Sequence, residues 1–182
     1  MDQPYFAVST LNIVRKRMGW LFLLFIASTL TGTVINSFQN ELETVIVLSL
    51  FIPLIIGTGG NAGSQTVATI IRAITLDEVR LSNVFQAVRK EVSVGLLLGF
   101  VMMGIGIVRA VTWHIDLNIA FVVGLTLAAV VLWANTVATI VPILADRFKI
   151  DPTVISGPMI TTVVDATGLL IYFSLAKLIL GL

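Results

Sequence analysis

An all-α membrane protein with five transmembrane helices is the fold class that this 182-residue sequence predicts. Three observations carry it. Hydrophobic residues make up 57% of the chain and charged residues 12%, and the mean hydropathy is +1.04; a soluble domain carries about twice that share of charge. The charges are gathered into short polar stretches between apolar runs of the length that a bilayer core demands. The basic residues are also one-sided. With the N-terminus placed in the cytoplasm, Arg15, Lys16, Arg17, Arg72, Arg80, Arg89, Lys90, Arg147 and Lys149 lie on the cytoplasmic side, leaving Arg109 and Lys177 for the other. Such asymmetry sets the orientation of multi-span proteins. The expectation is a multi-pass protein of the cell (inner) membrane, with its C-terminus extracytoplasmic.

Residues 1–17 read as an amphipathic juxtamembrane helix, with Tyr5, Phe6, Val8, Leu11, Ile13 and Val14 apolar and Arg15-Lys16-Arg17 closing the stretch. It either lies on the headgroups or acts as a gate or coupling helix for a domain before it. The basic triplet ahead of an apolar run reads as a signal-anchor rather than a removed leader, because further spans follow. Residues 18–182 form the five-helix unit.

Span one runs from about Met18 to Ile35, with Trp20 near one interface and Ser28, Thr29, Thr31, Gly32 and Thr33 suited to close packing. A polar loop with Glu41 and Glu43 follows and reads as solvated. Span two, about Val45 to Ile74, holds Pro53 and the run Gly57-Thr58-Gly59-Gly60-Asn61-Ala62-Gly63-Ser64-Gln65-Thr66. Thr58, Asn61, Gln65, Thr69 and Arg72 recur at helical spacing on one stripe, which cannot comfortably face lipid. Leu76 to Lys90 reads as a polar loop with room for a short helix. Span three, about Val92 to Val111, carries the pair Gly95 and Gly99 at the spacing of a helix-packing motif. His114 belongs to a turn before span four, about Ile119 to Leu144. Span five starts at Asp151-Pro152, an N-cap followed by a first-turn proline, and runs through Asp165 to Leu182.

Several function classes are short of material. A net charge of +1 gives no basic face for nucleic acid. There is no cysteine and a single histidine, so thiolate or imidazole metal sites and a Ser-His-Asp triad lack their parts. A membrane enzyme would need acids or histidines grouped near one interface.

Asp165 is the residue with the sharpest implication. An acid at mid-span costs several kcal/mol without a partner or water, so it marks function by default. No lysine or arginine lies at comparable depth, and Thr161, Thr162 and Gly168 make its helical neighbourhood small and oxygen-rich. The alternative is a protonated acid bonded to a neighbouring threonine. One carboxylate is few for a divalent ion, and a homodimer would bring a second copy to a shared axis. Two acids that close would both ionise only with a cation between them. Hard oxygen donors suit Mg²⁺, which sheds water reluctantly, better than copper or zinc. Glu91 and Asp151, read as the first acids of spans three and five, are either dipole-compensating caps or a secondary cation site at the cytoplasmic exit.

The glycine-rich run of Pro53 to Thr66 resembles the signature of the MgtE magnesium channels. The segment Asp151-Pro152 through Ser156, Pro158, Thr162, Asp165 and Thr167 to Tyr172, and Lys90-Glu91-Val92 with Val94 to Gly99, are similar to that family as well. The resemblance covers the chain from about Met18 onward. It implies a homodimer with five spans per chain and a pore on the two-fold axis lined by spans two and five. It implies passage of hydrated Mg²⁺ at Asp165, with Asn61 facing the path and Thr161 and the carbonyls near Gly57 shaping the filter. Members of that family carry a large cytoplasmic sensor ahead of the first span, whereas only about 17 residues stand there in this sequence; they resemble the plug helix beneath the pore. The expected function is therefore a Mg²⁺ channel working down the ion's electrochemical gradient, not an enzyme, with lipid and divalent cations as its partners. The alternative is a carrier exchanging Mg²⁺ for Na⁺ or H⁺.

Overall fold

The computed structural model describes residues 9–149 and 157–182, and among these every regular element is helical. Six α-helices are present: α1 Thr10–Ser37, α2 Gln39–Thr44, α3 Ile52–Thr75, α4 Val84–Thr112, α5 Leu117–Arg147 and α6 Gly157–Leu180. Two 3₁₀ segments, Ile46–Phe51 and Leu81–Asn83, lead into α3 and α4. Five of the helical segments are long and apolar enough to cross a membrane. The predicted all-α, five-span class is the one observed.

The central element is α5. It packs against α3, α4 and α6, and Val122, Val123, Val130, Ala134 and Ala138 along it are fully buried. Asp116 caps its start by accepting a hydrogen bond from the Asn118 N–H at 2.8 Å, which satisfies one of the donors a helix N-terminus leaves open. The α4–α5 seam is a close backbone approach. A Cβ on Gly99 would stand 2.8 Å from the Ala128 carbonyl oxygen, and one on Gly95 would stand 3.2 Å from Leu132 Cα. The glycine pair of span three therefore serves as the packing motif its spacing predicts.

At the periphery, α1 packs on α6 and leaves Leu21, Phe22, Phe25, Ile26 and Leu30 exposed. It is unbroken from Thr10, so the described part of the juxtamembrane stretch and span one form one continuous helix across positions 17 and 18.

Two expectations need correction. The polar stretch after span two ends at Asn83, not Lys90, because α4 starts at Val84. Val84, Ala87, Val88, Glu91 and Val92 lie partly buried at helical spacing while Arg89 and Lys90 point outward. The helix for which that stretch had room is the first two turns of α4, whose two long cations stand on its solvent side. Glu91 is consequently well inside α4 rather than at its N-terminus, so helix capping does not account for it. The start of span five at Asp151-Pro152 lies outside the described residues.

At the end remote from Arg15 and Arg17, three contacts join the α2 corner to the last turns of α6. Tyr172 Oη donates to the Leu48 carbonyl at 2.9 Å, Phe38 stacks on Phe173 with ring centroids 4.9 Å apart, and Lys177 Nζ donates to Glu41 Oε1 at 2.8 Å.

Candidate functional site

The site is built where α3 and α6 run antiparallel. Going up α3, Gly59 faces Val164, Gly60 faces Thr161 and Asp165, Gly63 faces Ile160, and Ser64 faces Gly157. The glycines of α3 are therefore sockets for α6 side chains. A Cβ on Gly59 would come within 2.5 Å of Val130 Cγ1 and 2.8 Å of Val164 Cγ1, distances that atoms do not tolerate. A Cβ on Gly60 would stand 3.2 Å from Thr161 Cγ2 and 3.6 Å from Asp165 Oδ1. The absence of a side chain at 60 lets the carboxylate lie directly against the α3 backbone. Pro53 sits in the first turn of α3, where its missing N–H costs no hydrogen bond.

Next to this contact, α3 presents an open polar stripe. Gly57, Asn61, Gln65, Thr69 and Arg72 are all exposed. A Cβ on Gly57 would meet nothing within 4 Å. Gly60 and Ser64 form the edge of the stripe that borders Thr161 and Asp165, which are themselves partly buried. The sequence-predicted Gly57 and Asn61 are thus exposed on α3, and Thr161 and Asp165 lie on α6 against the neighbouring Gly60. The amides, hydroxyls and one carboxylate here are surrounded by helices otherwise fit for lipid.

The local hydrogen bonds bear on the charge state of the site. Thr161 and Thr162 both donate to the Pro158 carbonyl, at 2.9 and 2.8 Å. Neither hydroxyl is committed to Asp165. Among the described residues, no side chain donates to the Asp165 carboxylate and no cation pairs with it. The threonine-bonded acid weighed above is therefore not the arrangement seen. The threonine oxygens keep lone pairs free to accept from water. Among the described residues no three His, Cys, Asp or Glu side chains cluster.

Glu91 stands on α4, near the Thr69 end of the α3 stripe. With Lys90, Gln86, Glu78 and Thr69 it lines a cavity of about 310 Å³ between the end of α3 and the start of α4. Asp151 lies outside the described residues. His114 sits in the turn before α5 at φ 57° and takes no part in the site.

Two contributors escaped the sequence reading. Ser64 packs against Gly157; the spacing Gly60-x-x-x-Ser64 is a small-residue pair that could have flagged it. Trp133 Nε1 donates to Thr167 Oγ1 at 2.8 Å, which fixes α6 to α5 two residues from Asp165. An indole N–H in the middle of a span needs such a partner.

Comparison with known proteins agrees with this architecture. The MgtE family, described as divalent cation transporters, matches residues 52–175. The chain is 37% identical over 179 residues to the magnesium transporter MgtE of Thermus thermophilus, covering 98% of this chain and 40% of that protein. It is 34% identical to the magnesium transporter MgtE of Enterococcus faecalis, covering 98% of this chain and 39% of the relative. Against the Bacillus subtilis protein of the same name it is 31% identical over 161 residues, 88% of this chain and 36% of the relative. The chain thus spans about two fifths of the length of these relatives. With a match over most of its length, five apolar spans and a polar surface between two of them, the chain belongs to the MgtE family of divalent cation transporters.

Proposed function

We propose that this chain forms the pore of a Mg²⁺ channel that carries the hydrated ion into the cytoplasm down its electrochemical gradient. The observation that carries the reading is the open polar stripe of α3 meeting an unpaired carboxylate on α6 at membrane depth. Such a surface is stable in a bilayer only when it lines water or protein. A homodimer that brings two copies of it to a two-fold axis encloses an aqueous path with two Asp165 carboxylates across it.

The chemistry follows from the donor set. Two carboxylates on an axis repel each other, and a divalent cation between them removes the repulsion. Mg²⁺ gives up water slowly, and the site offers few direct ligands, so the ion is held through its hydration shell. Asn61 donates to and accepts from those waters, while the Thr161 oxygen and the backbone carbonyls near Gly57 accept from them. Discrimination then rests on the size of the hydrated ion. Glu91, facing the cavity between α3 and α4, serves as a secondary cation ligand at the cytoplasmic exit, and Asp151 is the other acid that the sequence offers for that role. The nine basic residues that the sequence places on one side set the N-terminus in the cytoplasm of a cell whose inner membrane holds the protein.

The test is Mg²⁺ flux into proteoliposomes. Asp165→Ala is expected to reduce flux to the level of empty vesicles while the protein elutes and melts as the wild type does. Unchanged flux in a folded variant would refute the site. Unitary currents from single reconstituted proteins distinguish a channel from a carrier.

A further inference from the structure

A second charged feature lies on the same helix as Asp165. Lys177, in the last turn of α6, donates to Glu41 of α2 at 2.8 Å. The glutamate side chain is 13% exposed and the lysine 56%. The acid is therefore covered, and the cation is the partner that faces open space. Lys177 stands twelve residues beyond Asp165, about 18 Å along the helix axis. Among the described residues the other charges named at this end make no contact with Lys177. Glu43 accepts from Gln39 at 2.9 Å, Arg109 lies over the Trp113 ring at 4.0 Å, and Asp116 caps α5.

Lys177 is turned about 120° from Asp165 around α6, yet at low ionic strength it stands within one screening length of that carboxylate, so a cation approaching Asp165 from this end comes under its field. We propose that Glu41 is an electrostatic mask for Lys177, keeping this mouth permissive for a divalent ion. The proposal rests on the reading of α6 as a wall of the cation path. A bare lysine acts on the ion as a full charge, whereas a closed ion pair acts as a dipole whose field falls off faster. A doubly charged ion feels the difference twice as strongly as a monovalent one. The corner also has two other ties, the Tyr172–Leu48 hydrogen bond and the Phe38–Phe173 stack. These ties do not involve the ion pair, so an electrostatic role is separable from a mechanical one by experiment.

The experiment measures initial Mg²⁺ flux into liposomes for the wild type, E41Q, K177Q and the double variant. It is run at ionic strengths of about 0.01 M and about 0.15 M, where screening lengths are roughly 30 Å and 8 Å. E41Q is expected to lower the rate roughly three- to tenfold at low salt and to recover most of it at high salt. K177Q is expected to match or exceed the wild type, and the double variant to return within about twofold of it. Equal losses in both single variants, without rescue in the double and without salt dependence, would mean a mechanical tether and overturn the proposal. If E41Q does not fold, the charge-swapped E41K/K177E pair replaces it, paired with K177Q. A mask then requires near-normal flux in the swap, and severe loss there refutes it. Absence of Mg²⁺ flux in the wild type would instead refute the conduction reading, and the mask with it.

Discussion

The Tyr172 hydroxyl donates to the Leu48 carbonyl at 2.9 Å, in the buried core and across 124 residues of chain. It ties the outer half of α6 to the 3₁₀ segment Ile46–Phe51, whose six residues exceed the usual length of such runs. Tyr172→Phe keeps the ring and its packing and deletes this bond. The expected cost is about 0.5–1.5 kcal/mol of stability in detergent, read as a lower midpoint of thermal unfolding.

The glycines of α3 separate into two kinds, and the distinction is measurable. Gly59→Ala places a methyl 2.5 Å from Val130 Cγ1 and 2.8 Å from Val164 Cγ1, so α5 and α6 must shift to admit it. Stability should fall by about 1–3 kcal/mol. Gly57→Ala meets nothing within 4 Å and should leave the unfolding midpoint unchanged or slightly raised, since alanine favours a helix interior by about 1 kcal/mol. Equal effects at the two positions would contradict the α3–α6 contact.

Glu91 offers a test of the corrected start of α4. Removal of a capping carboxylate costs about 1 kcal/mol. Because α4 begins at Val84, Glu91→Gln is expected to leave thermal stability unchanged or raised. A clear loss would restore the capping interpretation.

The Glu41–Lys177 pair gives a pH signature at the end of the molecule outside the membrane. The Lys177 hydrogen bond holds the Glu41 carboxyl below the ordinary carboxylate range. A depressed folded value means that the pair stabilises the fold above the unfolded value, and that this share is lost as pH falls through the depressed one. Unfolding midpoints of the wild type should therefore drop across that acid window by more than those of Lys177→Gln.

Much of this was legible in the sequence, because lipid imposes long apolar runs and drives charge out of them. The five spans, the packing glycines of span three, the polar stripe of span two and the isolation of Asp165 all follow from residue type and spacing. What escaped depends on partners distant in sequence. Glu41 reads as a solvated loop acid until Lys177, 136 residues away, is placed beside it. The Thr161 and Thr162 hydroxyls could have turned to Asp165 or to the preceding carbonyl; both turn to Pro158. The continuity of the first two turns of α4 with the rest of that helix was hidden by Arg89 and Lys90, which hold their charges outward while the partly buried residues of the same helix pack.

The socket pattern on α3 also limits how α6 can move. Val164 and Ile160 seat on Gly59 and Gly63, and the neighbouring positions on the same face of α3 are the large, buried Ile55 and Val67. Sliding α6 lengthwise by one turn would drive Val164 onto Ile55 in one direction, or Ile160 onto Val67 in the other. A piston stroke is therefore blocked both ways, whereas tilting or rolling about the seated pair is not. The seated pair thus fixes the level of the Asp165 carboxylate along α3.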